Sequence, residues 1–246
     1  MKIVDTIDEA SPRVLARLTG LFALLEALTS GFGQVIIPRM LIVSGNAAAT
    51  PANILAHEAL FRLSILAAFL GVACHIVWTY LVYELLKPVN RNVALVAVFF
   101  SLVAIALQSF SGTLQAAPLV ALQGGSALAA FNAEQLKTLA FVFLNFNARV
   151  FDAYLVFFGF WCVLTGYLIF KSTFMPRILG LLEALAGLCW LTFIWPPFAH
   201  YVSPSNQILA GLGEVSLMLW LLVRGLNVER WKGQASARIS LMRQVL

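Results

Sequence analysis

The longest apolar run in the chain covers residues 136–170 and ends at Lys171. It is one of several runs of about 20 or more residues, the length that a helix needs to cross the hydrocarbon core of a bilayer. Only 11% of all residues are charged, against roughly 25% in a soluble domain. The runs are continuous rather than alternating, which indicates helices rather than strands. The chain is therefore predicted to be an all-α, polytopic membrane protein.

Prolines, glycines and short basic turns divide the chain into six predicted transmembrane helices. They cover about residues 14–37, 60–86, 93–115, 136–170, 178–195 and 207–226. This gives an N-terminal segment (1–13), a six-helix transmembrane domain (14–226) and a basic tail (227–246). Pro38 is expected to close the first span, and Pro118 to begin the loop after the third. The tail is either an amphipathic surface helix or a disordered end, and the second alternative is favoured.

The basic residues indicate how the spans are oriented. An even number of spans places both termini on one side of the membrane. Of the 16 Lys and Arg residues, all except Arg39, Arg62, Lys137 and Arg149 fall at that side. The positive-inside rule then predicts that both termini are cytoplasmic. The expected partner is the lipid bilayer, whose anionic headgroups would attract the basic tail.

Four ionisable residues are predicted to lie inside the membrane. Counting about 1.5 Å per residue from the basic end of each span places three of them roughly 13–18 Å deep and the fourth about 9 Å deep. Ionisable groups at such depths are costly and usually face the bundle interior. They are hypothesised to form a ligand or proton pocket: Glu26, His75, Glu214 and, at the shallower level, Glu183.

Each of these residues also has a structural alternative. Glu26 could bond to Ser30 one turn away, and His75 could be a neutral core histidine. Glu214 could bond across a seam lined by Gly211 and Gly213, and Glu183 could extend to the interface or pair with a cytoplasmic arginine. The sequence leaves both sets of roles open.

A second group of polar residues is expected at the outer membrane boundary. Asn145, Arg149 and Asp152 share one helical face, and the last two lie roughly 28–33 Å from Lys171. Arg149 and Asp152 are spaced to form an ion pair, as are Glu58 and Arg62. The predicted outer-interface polar cluster comprises His57, Glu58, Arg62, Asn145, Arg149 and Asp152.

The sequence contains no HExxH, GxSxG, dinucleotide-binding or phosphate-loop motif. The three cysteines (Cys74, Cys162 and Cys189) lie within apolar runs and have no zinc-ligand spacing. No catalytic residue, metal site or cofactor is therefore predicted, and no nucleic-acid partner. An acid–base pair of His57 and Glu58 with Asp152 is the one enzymatic alternative.

Several motifs resemble a bacterial family of multi-pass proteins, the domain of unknown function 4386. The motifs are Ser11-Pro12-Arg13 with Ala16-Arg17, Asn53-Ile-Leu-Ala-His57-Glu58-x-Leu-Phe-Arg62, Leu86-Lys-Pro88-Val-Asn90-Arg91, Val156-Phe-Phe-Gly159, Gly166-Tyr-Leu-Ile-Phe, Pro176-Arg-Ile-Leu-Gly180 and Glu214 with Leu219-Trp-Leu-Leu-Val. The likeness covers roughly residues 11–227. It implies a bacterial inner-membrane protein of about six spans and supplies no activity.

Three functions remain open from the sequence. The first is binding or transport of a small ligand, ion or proton through the predicted pocket. The second is an accessory or structural subunit that packs against another membrane protein in a larger complex. The third is an intramembrane enzyme that acts on lipids, although the missing catalytic motifs favour a protein that is not an enzyme.

Overall fold

The computed structural model describes residues 11–43 and 49–245, with side chains as far as residue 238. Residues 1–10 of the predicted N-terminal segment lie outside the described residues. The helices in the described part are, in chain order, α1 (Pro12–Leu41), α2 (Ala49–Ala56), α3 (Glu58–Leu86), α4 (Arg91–Gln123), α5 (Ala133–Lys171), α6 (Arg177–Leu191), α7 (Pro196–Val202), α8 (Ser205–Val223) and α9 (Val228–Val245). Short 3-10 turns occur at Ser126–Leu128 and Thr192–Ile194.

Six of the helices in the described ranges are long and apolar enough to cross a membrane. They are α1, α3, α4, α5, α8 and, with its 3-10 extension to Ile194, α6. The same ranges contain no β-strand. The predicted all-α fold with six spans is confirmed, and the chain is a multi-pass membrane protein. The cytoplasmic position of the termini stays a prediction.

Two prolines do not end their helices, which corrects the predicted span boundaries. α1 continues past Pro38 to Leu41 because a π-helical turn at Gly31–Ile36 precedes a new α-helical segment, Ile37–Leu41. In the first turn of such a segment proline is tolerated, since its missing N–H has no partner there. α4 likewise runs through Pro118. Membrane helices tolerate internal proline because neighbouring groups satisfy the freed carbonyl.

The tail is a helix, so the favoured expectation of a disordered end was wrong. On α9, the Trp231 indole Nε1 donates a hydrogen bond to the Leu85 carbonyl at the end of α3, at 2.9 Å. Arg238 donates to the Lys87 carbonyl at 3.1 Å. The Gln234 side chain accepts bonds from both the backbone N–H and the hydroxyl of Thr173. These bonds anchor a strongly polar segment that has too few apolar residues to fold by burial alone.

We expect Trp231→Phe to loosen α9 without unfolding the spans. The substitution keeps an aromatic ring and removes the one indole N–H, a loss of about 0.5–1.5 kcal/mol for a hydrogen bond of this kind. Amide hydrogen exchange across residues 228–238 should become several-fold faster. Lys232→Gln, at an exposed neighbouring position, is the matched control. Unchanged exchange in Trp231→Phe would show that other contacts anchor the helix.

The described chain divides into two compact units. Unit A comprises residues 11–24, 75–104 and 155–245, and unit B comprises residues 25–43, 49–74 and 105–154. Each spanning helix from α1 to α5 contributes one segment to each unit, whereas α6 to α9 belong to unit A alone.

Glycines hold the helices of unit A close together. A Cβ atom added at Gly166 would lie 2.5 Å from the Ala184 nitrogen of α6, and one at Gly187 would lie 2.6 Å from the Gly159 carbonyl of α5. Glycines of both helices therefore form a close-packed seam between α5 and α6. Gly213 of α8 packs against α6 in the same way, but Gly211 faces open space. The expectation that Gly211 belongs to a seam was wrong.

Polar side chains join the helices of unit B. Gln115 of α4 donates to the Gly33 carbonyl in the π-helical turn and to the Ser64 hydroxyl of α3, both at 2.9 Å. Asn147 of α5 donates to the carbonyl and hydroxyl of Ser111. Between helices in lipid such bonds contribute about 0.6–2 kcal/mol each. In unit B, side-chain amides thus join the helices in addition to close glycine contacts such as that of Gly33 with α3.

Candidate functional site

Glu183 is the most deeply buried acidic side chain in the described chain. It lies on α6 with 1% of its surface exposed. Gly180 and Gly187 flank it on the same helix, and their close contacts with α5 press this face of α6 against its neighbour. Neither carboxylate oxygen has a hydrogen-bond partner among residues 11–43 and 49–245. An unpaired buried carboxylate is energetically costly, so its presence needs an explanation.

Glu214 of α8 lines the same cavity as Glu183. Its carboxylate accepts a hydrogen bond from the Trp190 indole Nε1 of α6. Gly213, its neighbour in sequence, packs directly on Leu182, the neighbour of Glu183. The glycine contact between α6 and α8 therefore brings the backbones of residues 183 and 214 to one level of unit A, and both side chains line the same cavity.

Cys162 of α5 is the third ionisable residue of this group. The thiol is fully buried and interacts electrostatically with both Glu183 and Glu214. It lies beside the Glu183 carboxylate without the geometry of a hydrogen bond. The site therefore has two acidic groups and a thiol from three helices, and no basic side chain lines its cavity in the described residues.

The cavity between these helices is narrow. Its volume is about 20 Å³, enough for about one water molecule. The space between its walls, with the open mouth included, is about 420 Å³. Apart from the two carboxylates, the lining is almost entirely apolar: Ala23, Trp78, Val82, Leu85, Leu86, Trp161, Thr165, Ile169, Met175, Leu217, Met218 and Leu221.

The cavity has chemically different ends. Consecutive spans run in opposite directions, so α3, α5 and α8 run parallel, and each lines the cavity over about two turns, roughly 10–12 Å. Trp78 and Trp161 begin the lining on their helices, as Glu214 does on α8. The lining residues that follow along each helix are mainly aliphatic. One end is thus acidic and aromatic, and the other is aliphatic.

His75 has the contacts of a core histidine in unit A. It is fully buried, and its Nε2 lies 3.3 Å from the Ser101 hydroxyl of α4. Its ring packs against Trp78, Phe158 and Trp161. His75 does not itself line the carboxylate cavity, although two of its aromatic neighbours do.

Glu26 lies in unit B, where it accepts a hydrogen bond of 3.1 Å from the Gln108 amide of α4. The same amide donates to the Ser30 hydroxyl at 3.0 Å. The sequence had suggested a direct bond to Ser30, and it gave no role to Gln108. An amide within an otherwise apolar span was the signal that could have identified this partner.

The outer-interface residues form local pairs on their own helices. Arg62 pairs with Glu58 at 2.7 Å on α3, and Arg149 pairs with Asp152 at 3.5 Å on α5. Gln123 also donates to Glu58. Because the Glu58 carboxylate is already bonded, a His57–Glu58 acid–base pair receives no support from these contacts.

Two further residues of the group have individual roles. The Asn145 side chain donates to the Phe141 carbonyl one turn earlier on α5. His57 is exposed at the break between α2 and α3. The geometry of the outer interface is thus that of stabilising pairs and caps.

Fold and site together define a multi-pass α-helical membrane protein with an acidic interhelical cavity. The chain belongs to the family described as Domain of unknown function (DUF4386), whose profile matches residues 18–225. It is also 26% identical over 164 residues to an uncharacterized protein of Archaeoglobus fulgidus, a match that covers 66% of this chain and 83% of that protein. No solved structure matches the chain.

Proposed function

We propose that this protein binds a small positively charged species (a proton, a metal ion or an organic ammonium) in the Glu183–Glu214 cavity of unit A. The observation that carries the proposal is the Glu183 carboxylate, which is 1% exposed, lines the cavity and has no hydrogen-bond partner in the described chain. The bilayer in which it works is proposed to be the bacterial inner membrane, where the basic helix ends would face the cytoplasm.

The electrostatics of the cavity support a cation. Glu183 and Glu214 are the only ionisable side chains that line it within the described residues. A negative charge in a medium of low dielectric constant is tolerated only when a counter-charge or several hydrogen bonds compensate it. The Glu214 carboxylate accepts a hydrogen bond from an indole N–H, whereas the described chain offers the Glu183 oxygens no hydrogen bond. A bound cation would supply the counter-charge that the Glu183 carboxylate lacks.

A panel of cations tests this proposal. Purified protein in nanodiscs of neutral lipid would be melted at constant ionic strength with Li⁺, Na⁺, K⁺, Mg²⁺, Ca²⁺, ammonium and alkylammonium ions, and over a range of pH. A ligand that binds only the folded state raises the melting temperature with the logarithm of its concentration, and it adds about 2.7 kcal/mol of stability at 100 times its Kd. At least one cation should do so with the wild type and not with Glu183→Gln.

The matched control is Glu58→Gln, which removes a carboxylate from a surface ion pair and leaves the cavity intact. It should keep the wild-type response to the cation. The proposal would be overturned if no cation stabilised the wild type, or if the stabilisation were the same in Glu183→Gln. Because Glu183 and Glu214 both line the cavity, a response to pH alone would be assigned by comparing the variants of each.

A further inference from the structure

We propose that the cation is an organic ammonium with a short apolar body, whose charged head binds between Glu183 and Glu214. This inference rests on the proposed function, because it selects one class among the positively charged species. It is drawn from three features of the cavity: the position of its polar groups, its aromatic lining and its aliphatic end.

The polar groups are too few for a bare metal ion. Calcium takes six to eight oxygen ligands and magnesium keeps a near-ideal octahedral shell. Besides the two carboxylates, the cavity offers the Thr165 hydroxyl, which already donates to the carbonyls of Trp161 and Cys162. The described residues contain no group of three His, Cys, Asp or Glu side chains that could hold a metal ion. A dehydrated metal ion would thus lack most of its ligands.

An ammonium head needs fewer ligands than a metal ion. Two or three hydrogen-bond acceptors are sufficient, together with a surface that tolerates its charge. Glu183 supplies two oxygens that have no other bond in the described chain, and Glu214 lies at the same level. An ammonium head between the two carboxylates would donate hydrogen bonds to them and would reduce the net negative charge of the cavity.

The aromatic residues at the acidic end favour an organic cation further. Trp78 and Trp161 both line the cavity, and their ring centroids lie 4.6 Å apart. Indole rings attract ammonium groups within about 6 Å, and more strongly where water is excluded. A proton alone would gain nothing from these rings.

The aliphatic end gives the proposed ligand its apolar body. Ile169 of α5, Leu86 of α3 and Leu221 of α8 line the cavity one to two turns away from the tryptophans. A short alkyl chain that starts at the carboxylates would run along this wall. Affinity should therefore increase about fourfold with each methylene that this wall buries, until the wall ends.

The narrow volume requires the wall to move when the ligand binds. Met175 and Met218 line the cavity, and methionine is the side chain that adapts most easily to an irregular ligand because it is unbranched and polarisable. The cavity of about 20 Å³ would widen by rotation of these two side chains, without displacement of the glycine-packed helices.

The experiment uses n-hexylammonium chloride as the probe on the full-length protein in neutral-lipid nanodiscs. Binding is measured by the melting temperature and by tryptophan fluorescence, since Trp78 and Trp161 border the proposed head site. Hexylammonium should bind saturably, more tightly than ethylammonium, and at least tenfold more tightly to the wild type than to Glu183→Gln or Glu214→Gln. Neutral hexanol and sodium chloride of equal concentration are the ligand controls, and Glu58→Gln is the protein control.

The possible results separate this inference from the proposed function. Equal binding of hexanol would overturn the ammonium inference, because the apolar wall would then suffice without a charge. Stabilisation by an inorganic cation or by protons alone would overturn the inference and keep the proposed function. No response to any cation would overturn both. Circular dichroism of both Gln variants confirms that a lost response is not a lost fold.

Discussion

Gly213→Val is expected to destabilise the packing of unit A, whereas Gly211→Val, two residues away on the same helix, is not. A Cβ at position 213 would lie 2.5 Å from the Leu182 carbonyl and 2.9 Å from the Ala186 Cβ of α6. Backbone atoms cannot yield in the way that the end of a flexible side chain can. α8 would therefore have to move away from α6.

The separation of α6 and α8 would also break the candidate site. The bond from Trp190 to Glu214 joins these two helices, and Glu183 and Glu214 share a level only because of the same contact. We expect Gly213→Val to lower the melting temperature by about 2–12 °C. This follows from overpacking costs of about 1–3 kcal/mol and about 2–4 °C per kcal/mol for a chain of this size.

Gly211 makes the test specific. An added Cβ at this position meets nothing within 4 Å, so the control changes the same residue type to the same larger residue on the same helix. Its melting temperature should stay within about 2 °C of the wild type, since a substitution at an exposed position usually alters stability by less than 0.5 kcal/mol. If both variants melted alike, tight packing at position 213 would not be what holds α8 in place.

The number of spans could be predicted because the length of an apolar run is enough to indicate a helix that crosses a bilayer. The residues at which the spans begin and end were predicted less accurately. Pro38 and Pro118 are helix breakers in water, but the π-helical turn at Gly31–Ile36 and the membrane setting of α4 make them tolerable. Nothing in the hydrophobic pattern indicates such a turn. The α9 helix was missed because its anchors are hydrogen bonds to distant carbonyls such as that of Leu85.

For the candidate site, the depth of each residue could be predicted from the sequence, but not the direction of its side chain around the helix. Counting from basic residues predicts that Glu183 and Glu214 lie inside the membrane, and both line one cavity. The same counting could not show that His75 packs among aromatic rings or that Gln108 bonds to Glu26. Those contacts depend on how each helix is rotated about its axis. In a chain with apolar residues on every face, periodicity carries little information on that rotation.

Glu183→Met should make the protein more stable while removing its response to cations. Methionine has about the same length as glutamate, fills the space with an apolar thioether and leaves no buried acceptor unsatisfied. An unsatisfied buried polar group costs about 1–3 kcal/mol, and the two oxygens of Glu183 have no partner in the described chain. In the absence of ligand, the variant should therefore melt several degrees above the wild type.

Glu26→Met is the matched control, and its melting temperature should change in the opposite direction. Glu26 is also a buried acid on a spanning helix, 7% exposed, but it accepts a hydrogen bond from Gln108. Its replacement removes one of the two acceptors of that buried amide, the other being the Ser30 hydroxyl, so the variant should melt below the wild type. A lower melting temperature for Glu183→Met would mean that the carboxylate is structural and makes contacts that stabilise unit A. A higher one, together with a lost cation response, would show that the chain gives up stability to keep an acid in this cavity, which is what residues retained for binding do.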